Sequence, residues 1–296
     1  MSDNAPRATT ELCDALQSLP QYLLPQHFLS SLMHAATRLT WRPWKDWQIN
    51  WVIRRYGVDM SQALDPDPGH YPNFNSFFTR ALQPGARPIA AGANDICCPA
   101  DGVISQIGQI HNGRIFQAKG RDFSTVELLG GSVARAAPFE NGRFVTVYLS
   151  PRDYHRVHMP VTGTLREMIH VPGRLFSVAP HTTRAIPRLF ARNERVISIF
   201  DTAAGPMAVI LVGALFVASI ETVWAGVVTP PRRREIQYWN YADAPEKLER
   251  GAELGRFNMG STVIVLFGPN QTRWDATMQP DKAVSMGMSL GVTSTL

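Results

Sequence analysis

Hydrophobic positions follow two rhythms along this chain. Over residues 21–80 they recur at helical spacing. Leu23, Leu24, Phe28, Leu29, Leu32 and Met33 form a first apolar cluster. Pro43 then fits the first turn of a helix running to about Tyr56, because a helix start leaves N–H groups unpaired and proline has none to leave. At about 100° per residue, Trp44, Trp47 and Trp51 fall on one face. Ile49, Val52 and Tyr56 widen that arc, Asp46, Asn50 and Arg54 form a polar stripe, and Lys45, Gln48 and Arg55 interrupt the pattern. Such a helix has two readings of equal weight. It packs on the protein's own core, or it lies in a bilayer surface, where indole rings settle at headgroup level. Residues 1–20 are polar and predict loose order.

The stretches Asn73-Phe74-Asn75-Ser76-Phe77-Phe78 and Pro84 to Pro88 mark a boundary. Beyond it come short β-branched runs punctuated by Gly, Pro and Asn. Strands are predicted at Ile104 to Ile110, Arg114 to Ala118, Arg143 to Leu149, Gly163 to Ile169, Arg195 to Phe200, Met207 to Ile220 and Val263 to Phe267. The spacing argues against repeated βαβ units. The expected fold is α+β: N-terminal amphipathic helices over residues 1–80, then a β-rich, barrel- or sandwich-like catalytic body over 81–296. Met207 to Ile220 gives 14 residues before Glu221. A membrane span needs roughly 20, so this run reads as buried strand.

Composition narrows the function classes. Apolar residues make up 45% and charged residues 18%, as in an ordinary globular protein with a generous core. The net charge of +5 fits an anionic membrane surface, nucleic acid or no particular partner. Zinc-finger spacing, an RNP-like aromatic motif and dense Lys/Arg tracts are all missing, so no nucleic-acid partner is expected. Cys13, Cys97 and Cys98 are odd in number and two are adjacent, which predicts a reducing compartment rather than a disulfide framework. Asp3 and Glu11, without an apolar run, predict no secretory signal.

Chemistry concentrates in three stretches. In Met259-Gly260-Ser261-Thr262 a serine stands at the mouth of the Val263 to Phe267 run. The plain reading is a turn before a strand. The chemical reading is self-cleavage, in which Ser261 Oγ attacks the Gly260 carbonyl and the peptide becomes an ester. β-Elimination then leaves dehydroalanine, which hydrolyses to ammonia and a pyruvoyl group. Glycine leaves the scissile peptide least hindered. In Cys98-Pro99-Ala100-Asp101-Gly102, Asp101 reads as a turn aspartate. Val147 to Pro160 packs two histidines, two arginines, two tyrosines and an aspartate together. As metal ligands, His155 and His158 are poorly spaced for an extended segment, where positions i and i+3 face opposite ways, and no metal is expected. As a base, a histidine near a carboxylate can deprotonate a serine. Asp101, His158 and Ser261 are therefore candidates for a triad defined by role rather than chain order.

These motifs resemble those of the bacterial phosphatidylserine decarboxylase family, in its shorter, membrane-associated class. The resemblance rests on Pro99-Ala100-Asp101-Gly102, Asp153-Tyr154-His155-Arg156-Val157-His158-Met159-Pro160, Leu189 to Arg195, Glu221-Thr222-Val223-Trp224-Ala225-Gly226, and Met259-Gly260-Ser261-Thr262. It runs from about residue 20 to the strand after Ser261, with Met259 where the family often has leucine. The resemblance implies cleavage at Gly260–Ser261 into a β chain, 1–260, and an α chain, 261–296, paired as a heterodimer, with further dimerisation a family expectation. It implies Asp101, His158 and Ser261 as the cleavage triad and Ser261 as the source of a pyruvoyl cofactor that forms a Schiff base with the substrate. His155 would serve the headgroup or protonation. The substrate would be phosphatidylserine in the membrane, which places the protein peripherally on the cytoplasmic face of the inner membrane. Trp44, Trp47 and Trp51 would then dock the bilayer, with Leu175 and Phe176 as a second apolar contact. A serine hydrolase is disfavoured because Gly-x-Ser-x-Gly is absent around Ser261. A non-enzymatic membrane module, or a pyruvoyl enzyme acting on a soluble amino acid, are the other rivals.

Overall fold

The Val263 to Phe267 run becomes the strand Thr262–Phe267, every residue of it buried. It lies near the middle of a nine-stranded sheet in a computed structural model that describes residues 13–118, 120–215, 219–230, 235–258 and 261–294. Six antiparallel pairs join it to Arg143–Tyr148 on one side and six to Gly205–Val212 on the other. A strand covered on both faces needs apolar side chains in both directions, hence an unbroken run rather than an alternating one.

The sheet runs, from edge to edge, through Gln237–Asn240, Gly163–Val171, Arg195–Thr202, Gly205–Val212, Thr262–Phe267, Arg143–Tyr148, Gly102–Gln109 and Ala283–Val284, with Glu246–Leu248 also on Gly163–Val171. Smaller sheets flank it. One joins Asp95–Cys97, Ser289–Thr293 and Thr272–Trp274, and another joins Gly226–Val227, Ile220–Thr222, Glu253–Phe257 and Arg156–His158. Among the described residues there is no closed barrel, so that part of the expectation is corrected. One edge strand, Ala283–Val284, is two residues long, too short a ladder to close the sheet on itself. The Met207 to Ile220 run also divides. Its first part ends at Val212, Gly213 donates its N–H to the Glu194 carbonyl, and Ile220 begins the strand Ile220–Thr222 of another sheet.

The N-terminal layer contains the helices Gln26–Ala36, Arg42–Tyr56 and Phe74–Phe78. Arg42–Tyr56 stops where Gly57 turns left-handed, at φ 67°, a conformation that glycine adopts freely. The reading in which this helix packs on the protein's own core holds for one of its faces. Ile49 and Val52 pack inward with Val58, Phe74, Phe77 and Phe78 in a second core, while Trp47 and Trp51 stay exposed. Trp44 is half-buried, stacks on Trp47 and gives its indole N–H to Ala36. Lys45, an interruption in the sequence pattern, is buried, with Nζ on Asp46 and the Gly69 carbonyl.

This layer is tied to the body by polar side chains. Gln21 and Gln26 accept the N–H groups of Ser177 and Leu175 at 2.8 and 2.9 Å. Tyr22 lies against Phe176. Leu175 and Phe176 are therefore only 2% and 0% exposed, which overturns the expectation that they form a second bilayer contact. The polar N-terminus is also more ordered than expected where it is described: Asp14 forms a two-pronged ion pair with Arg184. Residues 1–12 lie outside the described residues. No helix among the described residues is long and apolar enough to cross a membrane.

Candidate active site

Ser261 heads the central strand, and its backbone carbonyl accepts the Leu149 N–H at 2.9 Å. Its side chain is fully buried, and among the described residues Oγ has no hydrogen-bond partner. Its neighbours in sequence share that state: Asn258 Oδ1 and Thr262 Oγ1 are buried and unpartnered. Gly260, the other half of the expected cleavage site, lies with Met259 outside the described residues.

Asp101 sits where the chain enters the strand Gly102–Gln109. Gly102 lets this turn approach the neighbouring strand closely, since a Cβ there would stand 2.2 Å from the Tyr148 carbonyl oxygen. The Asp101 carboxylate accepts from Arg87 Nε at 2.8 and 3.0 Å, from Arg87 Nη2, and from the Met286 N–H at 2.8 Å. This ion pair raises the Arg87 pKa.

His158 ends the short strand Arg156–His158. Its Nδ1 is 2.8 Å from the Gly251 carbonyl, which can only accept, so Nδ1 carries a proton. In the neutral ring Nε2 then accepts from the Tyr154 hydroxyl at 3.0 Å. Burial lowers the His158 pKa and outweighs the Gly251 bond and the charges of Glu253 and Asp101, which favour the protonated ring. Burial likewise pushes the Tyr154 phenol up to about 12. His158 is thus a neutral base whose lone pair is covered by a phenol.

His155 is fully buried, and Nδ1 donates to the Asp153 carbonyl at 2.8 Å. Phe78 covers the ring at a centroid distance of 4.0 Å. Burial drives its pKa down to about 3. Nε2 is buried and has no partner among the described residues. The His155 carbonyl accepts the Phe257 N–H at 3.0 Å, which links this histidine to the strand that precedes Ser261 in the sequence.

Among the described residues no hydrogen bond joins Asp101, His158 and Ser261 to one another. Asp101 and His158 are neighbours through the backbone, since the His158 N–H donates to Pro99 at 2.8 Å. Sequence reasoning assigned no role to Arg87, Tyr154, Gly251 or Met286. Tyr154 was legible as part of the His-rich motif. The other three approach from distant parts of the chain and carry no local signal.

Family comparisons agree with the motifs. The profile of a family described as Phosphatidylserine decarboxylase matches residues 74–292, and one described as PSD matches residues 16–57. Over 272 residues the chain is 60% identical to the phosphatidylserine decarboxylase proenzyme of Methylococcus capsulatus, covering 92% of this chain and 94% of that one. It is 58% identical over 274 residues to the proenzyme of that name from Pseudomonas putida, covering 92% and 96%. The corresponding Bordetella bronchiseptica protein is 58% identical over 281 residues, covering 94% and 95%. The chain belongs to the phosphatidylserine decarboxylase family.

Proposed function

We propose that this chain cleaves itself at Gly260–Ser261 and then converts phosphatidylserine to phosphatidylethanolamine and CO2. Membership of this carboxy-lyase family supports the reaction, and the proenzyme names of its relatives support the processing. The observation that carries the assignment to Ser261 is its fully buried, unpartnered hydroxyl at the head of the central strand. An unpaired buried polar group costs about 1–3 kcal/mol, so this hydroxyl is better suited to reaction than to stabilising the fold.

In this reading the Tyr154 hydroxyl moves aside and His158 Nε2 takes the Ser261 proton. Asp101 supplies negative charge near the imidazolium. Ser261 Oγ attacks the Gly260 carbonyl carbon and the peptide nitrogen leaves, giving an ester. Loss of a Cα proton and of the ester oxygen frees residues 1–260, and hydrolysis with loss of ammonia leaves a pyruvoyl group at the start of 261–296.

A carbonyl group fits this position, because the buried Thr262 hydroxyl, without a partner among the described residues, can donate to it. The pyruvoyl group supplies an electron sink for the carbanion left by CO2, a task no ordinary side chain performs. The Leu149 N–H, already on the Ser261 carbonyl, favours negative charge at that oxygen. His155, neutral with Nε2 open, accepts a hydrogen bond from the substrate ammonium and so orients the headgroup, the headgroup role that the family resemblance implies for it.

Because the acyl chains stay in the bilayer, the protein works peripherally on the cytoplasmic face of the inner membrane. Trp47 and Trp51, with exposed Leu23, Phe28 and Leu32, form the docking face. Trp44 supports it from behind.

Intact-mass measurement under denaturing conditions tests the reading. Active wild-type protein should give fragments 1–260 and 261–296, the latter with pyruvoyl in place of serine. Ser261→Ala should stay full-length and release no CO2. A single full-length mass from protein that does release CO2 would overturn the cleavage.

A further inference from the structure

We propose that Arg80 is the residue that binds the phosphodiester of the lipid headgroup, an inference that rests on phosphatidylserine being the substrate. Arg80 follows the Phe74–Phe78 helix after one residue and is 4% exposed. Its guanidinium offers five N–H donors in a rigid fork. Nη2 reaches the Arg152 carbonyl at 3.3 Å, and the Phe77 ring lies 5.4 Å from Cζ. Nε and Nη1 are buried and have no partner among the described residues.

A buried cation ordinarily rests on a carboxylate. Asp101 and Asp153 lie close enough for their charges to act on Arg80. Both are committed elsewhere. Asp101 serves Arg87 and the Met286 N–H, and Asp153 accepts from the Ser150 N–H and hydroxyl, each at 2.7 Å. The open fork therefore has the charge and geometry to receive an oxyanion from outside the chain.

Its position matches the site. Phe78 lies on His155, Arg156 Nε donates to the Thr79 carbonyl at 3.0 Å, and Arg80 holds the Arg152 carbonyl. These contacts lay residues 78–80 along 152–156. One seam thus carries an unfilled donor, Arg80, and an unfilled acceptor, His155 Nε2. The headgroup of phosphatidylserine has the matching pair, an oxyanion and an ammonium. Of its two oxyanions, the carboxylate is consumed, and a cation fixed on it would stabilise the ground state against reaction. The phosphodiester keeps its charge from substrate to product. A contact to it lowers KM without changing kcat.

The test uses the matured enzyme with dihexanoyl phosphatidylserine in mixed micelles, and dihexanoyl phosphatidylethanolamine as inhibitor, which has the phosphodiester but no carboxylate. Arg80→Gln should raise KM about 10–100-fold with kcat held, and weaken inhibition by the same factor. Arg80→Lys, which keeps the charge and loses the fork, should fall between. If Arg80→Gln does not mature, Arg80→Lys carries both measurements. An unchanged KM overturns the proposal, as does a loss confined to kcat. A raised KM with unchanged inhibition also overturns it, because it places Arg80 on the carboxylate. Failure of the wild-type enzyme to release CO2 would instead remove phosphatidylserine as substrate.

Discussion

The nine-stranded sheet and the N-terminal helical layer use apolar side chains in opposite ways. Every residue of Thr262–Phe267 is buried between two neighbouring strands. Across the molecule, Leu23 is 88% and Phe28 68% exposed, and Trp47 and Trp51 face outward from a helix whose other side is core. In the sheet, apolar area already removed from water stabilises the fold. In the helical layer, apolar area still in water is free energy available for docking a lipid surface. The two regions meet where Phe78 covers His155, so the proposed active site borders both the sheet and the helical layer.

Three experiments separate these roles. The largest effect belongs to the sheet. Leu266→Ala, in a Ser261→Ala background that keeps one chain, should lower unfolding free energy by about 2–5 kcal/mol in urea, with vesicle binding unchanged. Equal losses of stability and vesicle binding would break the distinction. Next, Trp47→Ala combined with Trp51→Ala should weaken binding to anionic vesicles by roughly 1–3 kcal/mol, while turnover of dihexanoyl substrate and the urea midpoint barely move. A midpoint shift as large as that of Leu266→Ala would make these tryptophans part of the core.

The smallest effect probes the seam through pH. The His155 pKa is near 3 in the fold against an ordinary 6.5, chiefly from burial. The unfolded chain therefore binds a proton below about 6.5 that the folded chain refuses. The stability due to neutral His155 is whole above that pH and is lost progressively as pH falls toward 3. At pH 5.5 the loss should be on the order of 1 kcal/mol, and His155→Gln should flatten the slope. His158, lowered in the same direction, should leave a smaller residual slope. A wild-type slope unchanged by His155→Gln would show that the seam does not hold a neutral ring there.

Much of this was legible in the residues themselves. The helical period placed the Trp helix to within a residue, and the unbroken apolar run after Ser261 identified a strand covered on both faces. What eluded the sequence is what covers each apolar stretch. Leu175 and Phe176 read as a surface contact, yet Gln21, Tyr22 and Gln26 close over them from over a hundred residues away. Lys45 read as a break in a face, yet its ammonium reaches a carbonyl that lets it stay buried. The candidate site divides similarly. Ser261, His155 and His158 stand in dense local motifs, but the donors on Asp101 come from Arg87 and from Met286, 185 residues onward. Periodicity reports one element's own faces, and such long-range partners leave no trace in it.

The proposed cleavage at Gly260–Ser261 has a last consequence, for the lifetime of the protein. Residue 261 precedes a strand with six register pairs on either side. While the chain is continuous, that strand inserts by a first-order search. Once cleaved, the same insertion is an encounter between two separate polymers, second order in concentration and opposed by the entropy of association. The precursor can refold after any excursion, whereas a matured molecule that loses its short chain at cellular dilution has little route back. The working life of the enzyme is then set by the rate at which it opens, not by its equilibrium stability.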